Sequence, residues 1–180
     1  MKYYKYLSDL DWRPVAEKLK WYVLEYDKKP LIYDDPRNMA QTVNQLDLHK
    51  QVPELSNLFS PLNLTIRNVS FFVSTTLQNA IHHDGVPENC RINIPVLNCN
   101  NSETKFYVSS QPVPMRHQPN GQPFFSVNRE DCTYVDSYFL KCPVILRVNE
   151  LHQVFQDYTN IPRVACTIAF NENIEHWLDD

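Results

Sequence analysis

The chain has 180 residues, a formal net charge of −4, and two glycines against 13 prolines. At this length we expect one domain with one core, and the scarcity of glycine excludes the Gly-rich phosphate-binding loops of P-loop and Rossmann proteins. The negative charge argues against a surface that binds duplex nucleic acid, and no apolar run approaches the ~20 residues of a membrane span.

A first helix is predicted whose apolar stripe recurs at helical spacing from Val15 to Tyr26 and which ends at Lys28-Lys29-Pro30. Asp11 is its expected N-cap, and Pro14 is tolerated in the first turn. The polar stretch from Tyr33 to Asn44 is expected to be a loop. A second, shorter helix is predicted from Lys50 through Phe59, where the proline that follows ends it.

After residue 64 the pattern changes to short β-rich runs separated by turn residues. The predicted strands are 65–75, 90–97, 103–110, 133–139, 143–149, 152–156 and 163–170. They predict a mainly β fold, a sandwich or barrel with N-terminal helices packed on one face. We expect a single domain made of a mostly helical segment (1–64), a β core (65–172) and a tail (173–180). Residues expected in the barrel core include Ile92, Ile94, Val144, Leu146, Ile168 and Phe170.

The segment from Gln111 to Asp131 contains four prolines and a glycine, and it is expected to be one long loop. Loops of that length in compact domains are often functional. It is therefore a candidate lid over a site.

The cysteines and the first residues bear on the cellular compartment. Five cysteines without a Cys-x-x-Cys pair predict reduced thiols rather than a disulfide framework or a zinc site. The first residues lack the apolar region of a secretory signal. We expect a cytoplasmic protein, whose oligomeric state the sequence does not indicate.

His82 and Asp84 form a His-x-Asp motif. In an extended segment residues i and i+2 point to the same face, so both side chains can converge on one ion, while His83 points to the other face. An imidazole and a carboxylate make two-thirds of the 2-His-1-carboxylate facial triad, which holds Fe(II) and leaves positions open. A single motif of this length is also common by chance.

Two later residues can complete such a site. His152 begins a predicted strand, although a lone histidine there is also typical of a surface position. A hairpin closing at residues 157–160 would place Arg163 opposite residues 153–155, close to His152. The planar guanidinium then suits the far carboxylate of a five-carbon diacid that chelates the metal through its 2-oxo acid end. The alternative is a strand-end arginine in a surface ion pair.

The order His-x-Asp, a long gap, His, and Arg eleven residues later resembles the Fe(II)/2-oxoglutarate-dependent oxygenases, with Arg91–Asn98 and Thr104–Tyr107 lying between. Within that family the chain is similar to small single-domain members related to the aspartyl/asparaginyl β-hydroxylase and prolyl-hydroxylase-like groups. The similarity covers roughly residues 65–172. It implies a double-stranded β-helix, a jelly-roll, cupin-like barrel whose mouth holds the metal.

The resemblance also implies roles for individual residues. The metal ligands would be His82, Asp84 and His152, and Arg163 would pair with the C5 carboxylate of 2-oxoglutarate. Arg91 and Asn93 match positions that touch the cosubstrate, although polar residues on the solvent face of a strand explain them equally well. Tyr107 is a weaker cosubstrate candidate, because buried strand aromatics usually belong to the core.

One position departs from the family pattern. Many members carry a hydroxyl residue two positions after the arginine, where this chain has Ala165. That part of the carboxylate site is therefore missing or supplied from elsewhere, with Thr167 as a candidate.

The predicted activity is hydroxylation of a C–H bond in a small molecule or a peptide side chain. It would use Fe(II), 2-oxoglutarate and O₂, with ascorbate as a candidate reductant. The alternative is a cupin-like metal-binding barrel without oxygenase activity, which Ala165 favours. Oxidative demethylation of nucleic acid would share the metal site, but the charge of −4 and the absence of a Lys/Arg-rich run after residue 64 argue against it.

Overall fold

The computed structural model describes residues 1–26, 41–44, 48–75, 77–117, 123–157, 159 and 161–179. The strands in these ranges are β1 Tyr4–Tyr6, β2 Gln41–Asn44, β3 Ile66–Ser74, β4 Ile81–His83, β5 Cys90–Leu97, β6 Glu103–Ser109, β7 Met115–His117, β8 Pro123–Val127, β9 Cys132–Phe139, β10 Val144–Arg147, β11 His152–Phe155 and β12 Arg163–Phe170. They form two six-stranded antiparallel sheets. The first sheet has the order β1-β10-β5-β12-β3-β2, and the second has the order β7-β8-β4-β11-β6-β9.

Short helices accompany the sheets. They are α1 Arg13–Trp21, which continues as a π-helical turn Tyr22–Tyr26, α2 Leu48–Gln51 and α3 Pro53–Phe59, with 3₁₀ turns at Ser60–Leu62, Arg129–Asp131 and Glu175–Leu178. No helix in the described ranges is long and apolar enough to cross a membrane.

The N-terminal helices differ from the prediction in detail. Trp12, rather than Asp11, precedes α1, and no side chain caps the helix, while a proline lies in its first turn as expected. The second predicted helix is divided into α2 and α3. The predicted loop from Tyr33 to Asn44 lies outside the described residues up to residue 40, and its last four residues form β2 instead.

The main core lies between the first sheet and the helices. Leu19 of α1 and Leu55 of α3 belong to the same buried cluster as Ile92 and Ile94 of β5. Every second residue of β5 is buried, because this face of the strand lies under the helices. β12 is buried along its whole length, as expected for a central strand covered on both faces.

A second core lies between the two sheets. It joins Val144, Leu146 and Ala165 of the first sheet to Phe106 and Tyr138 of the second. The protein is therefore layered as helices, first sheet and second sheet. The residues predicted for the core are all buried: Ile92, Ile94, Val144, Leu146, Ile168 and Phe170.

The prediction of one long loop from Gln111 to Asp131 is wrong. The segment contains β7 and β8, and β8 pairs with β4, so that Ser126 lies opposite His82. A proline at the first residue of β8 is compatible with a strand, because that position tolerates the missing N–H. Residues 118–122 lie outside the described ranges. β8 is thus part of the sheet that carries His82 rather than a free lid.

The predicted hairpin between residues 152 and 163 is also wrong. β11 pairs with β4 and β6 in the second sheet, whereas β12 pairs with β3 and β5 in the first. The turn-rich segment between them carries the chain from one sheet to the other. Arg163 therefore does not lie beside His152 in a ladder.

The mainly β fold is confirmed, but a closed ladder of strands is not seen. Among the described strands no pairing joins the two sheets. On one open side the Tyr6 hydroxyl donates a 2.9 Å hydrogen bond to the carbonyl of Phe139, which connects β1 to the edge strand β9. Side chains rather than main-chain bonds therefore hold the layers together on this side.

Candidate metal centre

His82, Asp84 and His152 converge on one point of the second sheet. His82 lies directly opposite His152 in the ladder of β4 and β11, so that both imidazoles occupy the same face. Asp84 Oδ1 is 3.5 Å from Nε2 of His82 and 3.7 Å from Nε2 of His152. One ligand atom from each residue lies within 4.8 Å of the other two, which allows a single ion to contact all three. The structure thus brings these predicted residues together.

The hydrogen bonds of the two histidines orient their rings. Nδ1 of His82 lies 2.8 Å from the carbonyl oxygen of Ala80, and Nδ1 of His152 lies 2.9 Å from that of Glu150. A carbonyl oxygen only accepts, so each Nδ1 donates to its carbonyl, and Nε2 is the nitrogen turned toward Asp84. Metal-binding histidines are commonly oriented in this way.

The electrostatics favour the metal-binding protonation states. Burial raises the pKa of Asp84, but its hydrogen bond with His82 and the charges of His152, His82 and Arg91 outweigh this and lower the pKa to about 2. Burial and then the charge of His82 lower the pKa of His152 to about 4. At neutral pH Asp84 is therefore a carboxylate and His152 a neutral imidazole, the forms that ligate metals.

The adjacent His83 lies on the opposite face, as predicted. Its ring stacks on Phe125 of β8 with centroids 4.2 Å apart. Burial and the charge of His82 lower the pKa of this imidazole. His83 is not part of the candidate metal cluster of His82, Asp84 and His152.

Arg163 begins β12 in the first sheet and is only 1% exposed. Within the described ranges no carboxylate lies within ion-pair distance of its guanidinium, and its Nε has no hydrogen-bond partner. A buried charge without a counterion costs several kcal/mol. The position therefore suits an anionic ligand, and it is not the surface ion pair considered as the alternative.

A short chain of aromatic contacts connects Arg163 to the metal centre. The ring of His152 lies 6.2 Å from that of Phe106, which lies 6.1 Å from Tyr138. Burial raises the pKa of Tyr138 to about 12, and the nearby charge of Arg163 opposes this shift. The arginine and the triad thus face the same interior, from opposite sheets.

Arg91 and Asn93 lie on the face of β5 that is turned away from the helices. The Arg91 Nε donates a 2.7 Å hydrogen bond to Glu88, which also pairs with Arg67. The charge of Arg91 is the smallest of the contributions that lower the pKa of Asp84, and among the described residues no hydrogen bond or ion pair joins Arg91 to the three metal-centre residues. Oδ1 of Asn93 is buried without a partner in the described part of the chain.

Tyr107 does not reach the site. Its hydroxyl donates to Oε1 of Gln153 at 3.2 Å, and its ring belongs to a separate cluster with Ile81 and Leu151. Gln153 follows His152 directly and points to the opposite face of β11, because side chains alternate along a strand. The predicted cosubstrate role of Tyr107 is therefore not supported by its position.

Three buried hydroxyl groups, those of Ser74, Ser102 and Tyr138, were missed by the sequence analysis. The side-chain oxygens of Ser74 and Ser102 have no hydrogen-bond partner among the described residues, whereas the Tyr138 hydroxyl lies within reach of Thr104 and Asn93. Ser74 lies directly opposite Arg163 in the ladder of β3 and β12. A sequence signal did exist, since Ser102 and Thr104 share the strand face of Phe106, where a purely structural core would place apolar side chains.

No protein-family model matches the chain, and no curated protein matches its sequence. Solved structures do resemble it. The non-heme alpha-ketoglutarate dependent epimerase SnoN from nogalamycin biosynthesis is 14% identical, with a TM-score of 0.51 over 99% of this chain and 84% of that chain. At this identity the likeness shows a shared fold only.

Two further structures overlap more loosely. The non-heme alpha-ketoglutarate dependent carbocyclase SnoK from nogalamycin biosynthesis is 12% identical, with a TM-score of 0.47 over 94% of this chain and 79% of that chain. AviO1 from Streptomyces viridochromogenes Tue57 is 11% identical, with a TM-score of 0.46 over 96% and 91% of the two chains. The narrower resemblance to aspartyl/asparaginyl β-hydroxylases gains no support from these structures.

Proposed function

We propose that this protein is an Fe(II)- and 2-oxoglutarate-dependent oxygenase. The observation that carries the proposal is the convergence of His82, Asp84 and His152, with one ligand atom of each within 4.8 Å of the others. The buried Arg163 across the interior supports it. In this interpretation the two facing sheets are a double-stranded β-helix, and the fold of the chain is similar to that of the SnoN epimerase.

The donor set of the triad suits ferrous iron. Two imidazole nitrogens and one carboxylate oxygen form the facial arrangement of non-heme iron oxygenases, which leaves positions free for other ligands. The Nδ1–H groups of both histidines are fixed by backbone carbonyls, so Nε2 is the atom presented to the ion. When bound, iron with 2-oxoglutarate and O₂ supplies oxidation of an otherwise unreactive C–H bond, and 2-oxoglutarate becomes succinate and CO₂.

The residues of this chain would bind and orient the cosubstrate. Arg163 offers a planar fork to the C5 carboxylate in a site from which water is excluded, where such a pair is strong. Asn93 faces the same interior with an unpartnered side-chain oxygen. Arg91, already paired with Glu88, adds the smallest of the contributions that lower the pKa of Asp84.

The prime substrate that we propose is a small molecule or a peptide side chain, and the reaction a hydroxylation. Two similar structures are named as an epimerase and a carbocyclase. Epimerisation or ring closure without net hydroxylation is therefore a second outcome of the same chemistry. We further propose a cytoplasmic location, in which the cysteines remain reduced thiols.

The test is succinate formation. Protein loaded with Fe(II) without oxygen is given 2-oxoglutarate, ascorbate and air, with and without a panel of candidate substrates. We expect slow succinate formation by the wild type alone, faster formation with the right substrate, and none by Asp84→Ala. Asp9→Ala, which changes an exposed aspartate far along the chain from the motif, is the control and should match the wild type.

The alternative remains a metal-binding barrel without oxygenase activity. The apolar Ala165 on the strand of Arg163 is the feature that favours it, because it removes one donor from the carboxylate site. That alternative predicts metal binding by the wild type and no succinate under any condition. Absence of succinate from fully iron-loaded protein across the panel would therefore exclude the proposed activity.

A further inference from the structure

The loop 84–89, which begins at the candidate ligand Asp84, is closed by hydrogen bonds to a single residue. The Asp84 N–H donates a 2.9 Å hydrogen bond to the carbonyl of Val148, and the Val148 N–H donates one of 2.9 Å to the carbonyl of Asn89. Val148, which follows β10 directly, therefore bonds to both ends of the loop. The position of Asp84 depends on where the main chain of Val148 lies.

The segment 148–150 also orients a second residue of the candidate metal centre. The carbonyl of Glu150 accepts a 2.9 Å hydrogen bond from Nδ1 of His152. The segment thus bonds to Asp84 through its main chain and to His152 through its ring. A shift of the segment would displace both ligands from the geometry that one ion requires.

One carboxylate holds this segment from outside the two sheets. Glu175 begins the 3₁₀ turn Glu175–Leu178. Its Oε1 pairs with Nη1 of Arg147, the residue before Val148. Its Oε2 accepts a 2.7 Å hydrogen bond from Nδ2 of Asn89. Glu175 therefore joins the end of β10 to the end of the loop that carries Asp84.

The two partners of Glu175 are themselves held in place. The side chain of Arg147 is 10% exposed, and its Nε donates a 3.0 Å hydrogen bond to the carbonyl of Lys2. Oδ1 of Asn89 accepts a 3.0 Å hydrogen bond from Asn149. The hydrogen bond from Asn89 and the pair with Arg147 lower the pKa of Glu175, so its carboxylate is ionised at neutral pH. A charged group bonded to two fixed partners restricts geometry far more than an exposed ion pair does.

We propose that Glu175 is a positioning residue of the metal centre, which joins Arg147 to Asn89 and thereby fixes the Val148 carbonyl that binds the main chain of Asp84. This assignment rests on the function proposed above. Without Glu175 the three ligands would remain, but Asp84 would no longer be held in the geometry of the site. Outer residues that orient metal ligands commonly contribute tenfold to a hundredfold to metal affinity.

The experiment uses Co(II) as the probe, because its visible absorption changes with the number and geometry of its ligands. Metal-free wild type, Glu175→Ala and Glu175→Gln are titrated with Co(II), and the Kd and the spectrum at saturation are recorded. We expect Glu175→Ala to weaken Co(II) binding by roughly tenfold and to change the spectrum. Glu175→Gln keeps the shape and one acceptor, so it should recover part of the affinity.

A double variant tests whether the effect passes through Asn89. Asn89→Ala removes the amide that binds Glu175 but keeps the carbonyl that binds Val148. If both side chains act through one connection, the double variant Asn89→Ala/Glu175→Ala should bind Co(II) about as tightly as the weaker single variant. Two independent effects would instead multiply.

Two controls separate positioning from a loss of stability. Glu172→Ala removes a carboxylate of the same segment that accepts a 2.8 Å hydrogen bond from the N–H of Thr65, and it should bind Co(II) like the wild type. Leu55→Ala removes a fully buried side chain of α3 and should lower the melting temperature. Its Co(II) affinity should equal that of the wild type at a temperature where circular dichroism shows every variant to be folded.

Three outcomes would overturn the assignment. The first is equal Co(II) affinity and an equal spectrum for the wild type and Glu175→Ala, and the second is a full multiplication of the losses in the double variant. The third is a loss of affinity in Leu55→Ala as large as in Glu175→Ala, because lower stability alone would then explain both. A wild type that binds no Co(II), or binds it equally well after Asp84→Ala, would overturn the proposed function itself, which is a different result.

Discussion

Replacement of Arg163 by methionine should raise the stability of the ligand-free protein and reduce its stabilisation by 2-oxoglutarate. The guanidinium is 1% exposed, and no carboxylate of the described residues pairs with it. Methionine fills a similar volume without a charge, so the desolvation cost of the arginine disappears. In other proteins the replacement of a buried ion pair by apolar residues of similar volume is often neutral or stabilises by about 1–4 kcal/mol, and an arginine without a counterion has less attraction to lose.

The effect on the cosubstrate has the opposite sign. A charge-assisted hydrogen bond in a buried site contributes about 1.5–3 kcal/mol, so Arg163→Met and Arg163→Ala should weaken 2-oxoglutarate binding by about that amount. Arg163→Lys should recover only part of the loss, since a point charge cannot reproduce the planar fork. Iron affinity should hardly change, because the arginine lies across the interior from the triad.

Thermal unfolding of wild type and variants, with and without Fe(II) and 2-oxoglutarate, measures both the intrinsic stability and the effect of the cosubstrate. At 2-oxoglutarate 100 times above its Kd, the iron-loaded wild type should gain about 2.7 kcal/mol, and Arg163→Met much less. Arg129→Met, which removes an exposed arginine that lies over the Tyr107 ring, is the matched control. A ligand-free Arg163→Met that unfolds several kcal/mol more easily than the wild type would refute the reasoning, since the arginine would then be compensated within the fold.

Three further results are expected. Asp84→Ala should lose tight Fe(II) binding, measured by isothermal titration calorimetry, because two imidazoles alone hold iron poorly. Its melting temperature should stay within a few degrees of that of the wild type, because no core residue is changed. Tight Fe(II) binding by this variant would contradict the ligand set. Because the pKa of His152 is lowered to about 4, the unfolded metal-free chain takes up a proton between pH 6.5 and 4 that the folded chain does not. The free energy of unfolding should therefore decrease as the pH is lowered through that window, by up to about 2 kcal/mol at pH 5. Urea unfolding should show a smaller fall for His152→Gln, and an equal one would place the titrating group elsewhere. Tyr107→Phe should leave the affinity for 2-oxoglutarate unchanged. A more than threefold weaker affinity would indicate that Tyr107 contacts the cosubstrate.

The sequence was most informative where local pattern alone determines structure. Alternating apolar residues identify β5 and a largely apolar run identifies β12, each with the bounds predicted. The His82 and Asp84 pair follows from the i, i+2 geometry of one strand. By contrast, β1 and β7 are three residues long, too short for an alternating pattern to be recognised.

The errors share a non-local cause. Turn residues between His152 and Arg163 are typical of a hairpin, but the choice of partner strands is made by packing between the sheets. The same limit applies to the surroundings of Arg163. Tyr138 belongs to a strand of the other sheet, and its closeness to Arg163 can be recognised only when both sheets are placed.

The most direct test of the central claim is a crystal structure of the protein grown anaerobically with Fe(II) and 2-oxoglutarate. We predict one ion bound by Nε2 of His82, Nε2 of His152 and a carboxylate oxygen of Asp84, each at about 2.0–2.3 Å. The distal carboxylate of 2-oxoglutarate should contact the guanidinium of Arg163. An ion held by other residues, or a cosubstrate whose distal carboxylate binds a different cation, would contradict the account.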